Sequence, residues 1–141
     1  RNNIKINKKN FHLTESINLP PIIRNSRDIG FFLLDQNEPN YITNLTVTGK
    51  VAKINLHNNN ISNKIVFIEN ADPGYDWIFS HNIKGLITMY GGLNSHMAIR
   101  SVELNIPAII GAGHVLYNKW FEYDYVEINC FAKTVNKINT Y

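Results

Sequence analysis

The sequence GLITMYGGLNSHMAIR, residues 85–100, decides the fold and points to the function. It opens with a short apolar run that is typical of a buried strand. Gly91 and Gly92 then predict a turn. Two roles are open for these glycines: they form the turn and nothing more, or they also let a phosphate approach the backbone. Asn94 and Ser95 predict the N-cap and first turn of a helix. A strand, a glycine turn and a helix N-terminus form an anion site, because unpaired N–H groups and the helix dipole favour negative charge there.

His96 stands two residues after the predicted cap and is the candidate catalytic nucleophile. An imidazole is largely unprotonated at neutral pH, so one of its ring nitrogens offers a lone pair. Attack on an activated phosphoryl group gives a phosphoramidate, whose weak P–N bond suits a covalent carrier. The alternative is that His96 has only a structural role, with its hydrogen bonds satisfied at the start of the helix. The glycine turn and the cap residues favour the carrier.

The segment GGLNSHMAI at 91–99, followed by ELNIPAIIG at 103–111, resembles the phosphohistidine swivelling domain of the phosphoenolpyruvate-utilising enzymes. That family has a Gly-Gly-x-Thr-Ser/Cys-His-Ala-Ala-Ile core, then Arg-Glu-Leu-Gly-Ile-Pro-Ala-Val-Val-Gly. The resemblance covers roughly residues 46–129 and implies that His96 is the phosphorylated histidine. It implies a three-layer β/β/α swivelling domain.

The rest of the pattern predicts the same class. Apolar runs at 64–69, 85–89 and 108–110 predict short buried strands, 94–104 predicts a helix, and 111–113 predicts the start of a loop. Short apolar strands that alternate with helices predict an α/β class with a partly parallel sheet.

Two positions depart from the family pattern. The family has a threonine two residues before the histidine, which holds the ring nitrogen that does not react. This chain has Asn94 there, and its amide either takes that role or only caps the helix. Ser95 either donates a hydrogen bond to the phosphate or only starts the helix. At the position of the family's arginine this chain has Val102.

Arg100 is the candidate replacement for that arginine. It lies four residues after His96, one helical turn along, so both side chains lie near the same face. Its guanidinium either neutralises the phosphoryl group or pairs with Glu103, three residues further. The surface pair with Glu103 is slightly favoured.

Composition narrows the class of protein. The chain has 141 residues, 44% of them hydrophobic, which is typical of a globular domain. Residues 41–141 are predicted to form the swivelling domain and residues 1–40 a lead-in segment packed on it. The chain starts at Arg1, so we expect a fragment of a larger multidomain enzyme. It has no apolar run of 18 residues and only a mild net charge of +3, so we expect neither a membrane nor a nucleic-acid partner.

The cysteine and histidine content bears on metals and location. Cys130 is the only cysteine, so no internal disulfide is possible and the cytoplasm is the expected location. The five histidines and this cysteine have no zinc-site spacing, and we expect no metal. No glycine-rich nucleotide loop or pair of Mg²⁺-binding carboxylates is evident, so we expect no cofactor in this domain.

The resemblance also implies how such a domain works. An ATP-grasp-like nucleotide-binding domain of the same protein loads the histidine, which then swings to an acceptor domain. ATP and Mg²⁺ are therefore expected on the other domains, and the isolated domain is expected to be inactive. The sequence leaves open whether ATP or phosphoenolpyruvate is the donor.

Three short features look like one branch of the family. They are ENADPGYDWIF at 69–79, Asn94, and MAIR at 97–100, and they resemble the bacterial L-glutamine kinases, which phosphorylate the glutamine amide for capsule phosphoramidate synthesis. One alternative is a carrier domain of a phosphoenolpyruvate synthase or pyruvate phosphate dikinase-like enzyme. Another is a non-catalytic interaction module with the same fold. Loss of His96 would mark the last class, and His96 is present.

Overall fold

The computed structural model describes residues 38–54 and 60–139, all within one compact unit, Asn37–Tyr141. The predicted lead-in, residues 1–40, lies outside the described residues except for its last three. The described elements follow one another as β1 (Asn40–Ile42), β2 (Thr46–Lys53), β3 (Ile65–Asn70), a 3₁₀ helix (Pro73–His81), β4 (Gly85–Tyr90), α1 (His96–Glu103), β5 (Ala108–Ile110), α2 (Gly113–Phe121), β6 (Tyr125–Asn129) and β7 (Thr134–Lys137).

The strands form one mixed sheet in the order β1-β5-β4-β3-β2-β6-β7. The four central strands, β2 to β5, run parallel to one another, and β1, β6 and β7 are antiparallel to their neighbours. Of these, β3, β4 and β5 carry near-continuous apolar runs, because both faces of the sheet are covered there. The predicted α/β class with a partly parallel sheet is confirmed, and the arrangement is consistent with a swivelling domain.

Each face of the sheet packs into its own hydrophobic cluster. On one face Val66 and Leu86 pack with residues of the 3₁₀ helix and α1, including Ile78 and Met97, and all four side chains are fully buried. On the other face the cluster joins β3, β4 and β5 to α2 and to the inward-facing residues of β6. Alternate residues along a strand point to opposite faces, so adjacent β3 residues contribute to both clusters.

The parallel strands place two helix starts at one edge of the sheet. Asn70, the last residue of β3, is in register with Tyr90, the last residue of β4. The 3₁₀ helix follows β3 and α1 follows β4, so both begin at the edge formed by the carboxyl ends of these strands. Ligand sites in open α/β sheets form at this edge.

Two elements differ from the sequence prediction. Residues 111–113 were expected to begin a loop, but Gly113 is the first residue of α2. The helix was difficult to predict because Ala112 gives no side-chain cap and Gly113 has a φ of +73°. The strand β7 was not predicted either, since only one of its four residues is even partly buried. Among the described residues, no helix is long and apolar enough to span a membrane.

Candidate phosphohistidine site

The turn that leads from β4 to α1 depends on Gly91. Its φ is +135°, a backbone conformation that side chains disfavour. A Cβ added there would lie 2.5 Å from the Cβ of Ala71, so the carboxyl ends of β3 and β4 approach each other too closely for a side chain. A Cβ on Gly92 would meet nothing within 4 Å. The close packing therefore requires Gly91, whereas Gly92 leaves open space beside the backbone.

Ser95, not Asn94, is the N-cap of α1. Its extended backbone precedes His96, the first helical residue, and its hydroxyl accepts a hydrogen bond from the Ala98 N–H at 3.3 Å. The first intrahelical bond runs from the Ile99 N–H to the Ser95 carbonyl at 3.1 Å. The predicted helix start near Asn94 is confirmed, but the cap is one residue later, because only Ser95 places an oxygen over the first turn.

The first turn of α1 offers donors to an anion beside His96. The N–H groups of His96 and Met97 have no acceptor within the helix, as at every α-helix N-terminus. The helix is held in place by its inner face, since Met97, Ala98 and Ser101 are buried. The Ser101 hydroxyl donates to the Met97 carbonyl at 2.7 Å, so this buried polar group is satisfied within the helix. The buried face thus fixes the first turn of α1 against the sheet, while His96 at the start of the helix is exposed to solvent.

The 3₁₀ helix brings Asp76 to His96. Asp72 caps this helix, accepting a hydrogen bond from the Gly74 N–H at 2.7 Å. Pro73 follows in the first turn, where its lack of an N–H costs nothing. Ile78 is fully buried and anchors the helix against the sheet. The carboxylate of Asp76 is left on the outer side, where α1 begins.

Four charged or titratable side chains form a continuous chain of contacts. Asp76 Oδ1 lies 2.9 Å from His96 Nε2 and also accepts a hydrogen bond from Arg100 Nε at 3.1 Å. Arg100 Nη1 donates to Glu103 Oε2 at 2.8 Å. The guanidinium carbon of Arg100 also lies 6.0 Å from the centre of the Phe79 ring. One carboxylate oxygen thus bridges the imidazole and the guanidinium, and Arg100 is held from three sides.

The electrostatics of the cluster follow from these contacts. The hydrogen bond from His96 holds the pKa of the Asp76 carboxyl below its usual range, and the Arg100 guanidinium acts in the same direction. The hydrogen bonds to Glu103 and Asp76 raise the pKa of Arg100. Asp76 is therefore a carboxylate and Arg100 a cation at neutral pH.

The cluster is open to solvent. The side chain of His96 is 41% exposed, that of Asp76 45% and that of Arg100 33%. The imidazole of His96 is therefore accessible to solvent. The arrangement places an imidazole, a guanidinium cation and helix N–H donors within one small region, and this combination suits covalent transfer of an anionic group.

The structure brings most of the predicted site residues together at this edge. Ser95 caps the helix that His96 begins, and Arg100 shares an acceptor with His96. The pairing of Arg100 with Glu103 is confirmed. Asn94 is exposed, and within residues 38–54 and 60–139 its side chain has no hydrogen-bond partner. Its role in holding a ring nitrogen stays a prediction, and it now concerns Nδ1, because Nε2 faces Asp76.

Asp76 is the site residue that the sequence reasoning missed. It was noted within 69–79 as part of a branch resemblance, without a role. A signal was available: β3 and β4 were both predicted as strands of a parallel sheet, so residues after each strand meet at one edge. An acidic residue six positions after β3 and a histidine six positions after β4 satisfy that condition.

The two other histidines in the described part of the chain, His81 and His114, have their hydrogen bonds outside this cluster. His81 Nδ1 lies 3.0 Å from the Trp77 carbonyl oxygen, and His114 Nε2 lies 3.0 Å from Asn118 Nδ2. His12 and His57 lie outside the described residues. Within the part of the chain that the structure describes, no group of three or more His, Cys, Asp and Glu side chains is placed to hold a metal ion.

Comparison with known proteins agrees with this geometry. No curated protein shows significant similarity to the chain. The family model of the PEP-utilising enzyme mobile domain matches residues 61–133, more than half of the chain. The matched region contains β3, the 3₁₀ helix, the glycine turn and α1, and so includes the whole cluster around His96. The chain therefore belongs to the family of mobile domains of PEP-utilising enzymes.

Proposed function

We propose that this domain carries a phosphoryl group on His96 between two other sites of a larger phosphotransferase. The observation that carries the proposal is the position of His96: it is the first residue of α1, is 41% exposed, and shares the Asp76 oxygen with Arg100. A histidine kept only for structure would not need an open ring beside a fixed cation and unpaired N–H donors.

The charging step forms one bond and breaks one. The lone pair of an unprotonated ring nitrogen of His96 attacks phosphorus in an activated donor, either a nucleoside triphosphate or an enol phosphate. The P–N bond forms as the P–O bond breaks, and the donor's oxygen leaves with the electron pair. In the discharge step the acceptor attacks phosphorus and the electron pair of the P–N bond returns to the ring. Two easier transfers replace one difficult transfer.

The residues around His96 have distinct roles in this proposal. Arg100 offsets charge on the phosphoryl oxygens, since a guanidinium binds phosphate through directed hydrogen bonds. The N–H groups at the start of α1 supply further donors. The open space beside Gly92 leaves room for the phosphoryl group. Asn94 orients the ring through a hydrogen bond between its side-chain amide and Nδ1.

The remaining machinery lies on other domains in this proposal. An ATP-grasp-like domain with ATP and Mg²⁺ loads the histidine, a separate domain binds the acceptor, and the enzyme is cytoplasmic. We propose the side-chain amide of L-glutamine as the acceptor. Its support is the resemblance of 69–79, Asn94 and 97–100 to the glutamine kinase branch, and Asp76 within that stretch contacts His96.

Substitution of His96 in the full-length enzyme tests the carrier role. His96→Asn removes the nucleophile at an exposed position, so net phosphoryl transfer should fall to background while the free energy of unfolding changes little. His81→Asn is the matched control, because His81 is an exposed histidine of the neighbouring 3₁₀ helix outside the cluster. Full activity of His96→Asn would refute the carrier role. Assays with glutamine and with pyruvate as acceptors separate the glutamine kinase from the synthase-like alternative.

A further inference from the structure

We propose that, before His96 is phosphorylated, the Asp76 carboxylate occupies the position that the phosphoryl oxygens take afterwards. When Nε2 of His96 is phosphorylated, Asp76 releases Arg100, and Arg100 binds the phosphoryl group instead. This inference rests on the proposed carrier function. It makes Asp76 a positioning residue, which acts on the histidine and the arginine without itself transferring the group.

The first argument is geometric. A single oxygen, Oδ1 of Asp76, lies 2.9 Å from His96 Nε2 and 3.1 Å from Arg100 Nε. A phosphoryl group bonded to Nε2 would place its own oxygens in the same region. The carboxylate and the phosphoryl group therefore cannot both keep these contacts. The cation of the cluster lies on the Nε2 side of the ring, which selects Nε2 as the nitrogen that carries the group.

The second argument concerns the proton on the ring. A carboxylate oxygen only accepts hydrogen bonds, so a contact of 2.9 Å with Nε2 requires a proton on that nitrogen. A nitrogen that bears this proton has no lone pair for attack. In the resting state Asp76 thus holds His96 in a well-defined orientation, with a proton on Nε2 that prevents this nitrogen from attacking phosphorus. Charging requires Asp76 to move away and Nε2 to lose its proton to solvent or to the docked domain.

The third argument is that the rest of the cluster allows this exchange. Glu103 binds Arg100 through Nη1, a different nitrogen from the one that Asp76 uses. Arg100 therefore stays in place when Asp76 leaves, and its Nε–H becomes available to a phosphoryl oxygen. The Asp76 side chain is 45% exposed, so it can rotate into solvent without disturbing the core. Repulsion between the carboxylate and a phosphoryl dianion favours that rotation.

Two variants separate the role of Asp76 from a general charge effect. Asp76→Asn keeps the size and an acceptor oxygen but removes the negative charge, and its amide can also donate to an unprotonated Nε2. Asp72→Asn removes the same charge from the same 3₁₀ helix and keeps the cap oxygen that accepts from Gly74. Asp72 has no contact with His96 or Arg100 among the described residues, so it is the matched control.

The experiment is a titration of the 141-residue chain with inorganic phosphate, followed by NMR of the Arg100 Nε–H and of the His96 ring nitrogens. Asp76→Asn should bind phosphate at least about threefold more tightly than the wild type, as expected for removal of one competing surface charge. The Arg100 Nε–H signal should shift when phosphate binds. Asp72→Asn should behave as the wild type. Asp76→Ser, which removes the charge with a smaller side chain, should also tighten binding.

Equal affinity in Asp76→Asn and Asp72→Asn would overturn the inference, and so would tighter binding that leaves the Arg100 signal unchanged. The titration requires no phosphorylation of His96. Its failure therefore leaves the carrier function standing, and failure to find phosphohistidine in the full-length enzyme leaves the phosphate result intact.

Discussion

Oδ1 of Asp76 lies 2.9 Å from Nε2 of His96, although the two residues are 20 positions apart in the chain. Parallel pairing of β3 with β4 produces this contact, because it brings the elements that follow both strands to one edge of the sheet. The same carboxylate oxygen accepts a hydrogen bond from Arg100. The site is therefore a product of sheet topology, and its charges are arranged before any phosphoryl group arrives.

The titration of Asp76 should depend on His96. The hydrogen bond from His96 lowers the pKa of this carboxyl, so His96→Ala should raise it toward the ordinary value of an aspartate. Arg100→Gln should raise it as well, and His81→Ala should leave it unchanged. Carbon-13 NMR of the Asp76 carboxyl across the acid range measures this directly. An Asp76 pKa that is the same in the wild type and in His96→Ala would contradict the assigned contact.

The same shift predicts a pH dependence of stability. Because the folded-state pKa of Asp76 is lowered, its interactions stabilise the fold above the unfolded-state pKa of about 3.9. This contribution is lost as the pH falls through the folded-state pKa. The difference in free energy of unfolding between the wild type and Asp76→Asn should therefore shrink as the pH is lowered through that range. Urea denaturation at several pH values measures it, and a difference that grows on acidification would be inconsistent with a lowered pKa.

The two glycines of the turn should respond differently to alanine. Gly91→Ala introduces a Cβ 2.5 Å from Ala71 at a φ of +135°, so it should destabilise the fold by about 2 kcal/mol. Gly92→Ala adds a Cβ in open space and should change stability by less than about 0.5 kcal/mol. Urea denaturation of both variants checks the contrast. Equal losses in stability would show that the glycine turn has another geometry.

The helix cap gives a second matched pair. Ser95→Ala removes the oxygen that accepts from the Ala98 N–H and should cost about 1 kcal/mol of stability. Asn94→Ala removes an exposed side chain without a hydrogen-bond partner in the described structure, so it should cost less than about 0.5 kcal/mol. Denaturation midpoints of the two variants decide between the residues. A larger loss of stability for Asn94→Ala than for Ser95→Ala would show that Asn94 is the N-cap, as the sequence predicted.

The sequence was sufficient for the features that depend on local patterns. The apolar run at 108–110 predicted β5 with its exact bounds, and the glycine pair with the following polar residues predicted the helix that His96 begins. It placed the cap one residue early, since Asn94 and Ser95 have similar capping preferences and only the backbone distinguishes them. It missed α2, whose Ala112 cap and Gly113 start give no helix signal.

The sequence could place Asp76 and His96 at the same edge of a parallel sheet, but it could not predict the contact between them. That contact depends on which strands are neighbours in the sheet, and that order follows from tertiary packing. By contrast, the pairing of Arg100 with Glu103 was predictable, because residues three apart on a helix are neighbours. Non-local contacts of the candidate site residues thus required the structure, whereas the candidate nucleophile, His96, was predictable from the sequence.

The most direct test of the carrier function is phosphate mapping in the full-length enzyme, supplied with its phosphoryl donor and no acceptor. Mass spectrometry under alkaline handling should find the phosphate on His96, and acid should release it, because protonation makes the imidazole a better leaving group. The His96→Asn enzyme should carry none, and the 141-residue chain given ATP and Mg²⁺ should stay unlabelled. Phosphate on a different residue, or a labelled His96→Asn enzyme, would contradict the account.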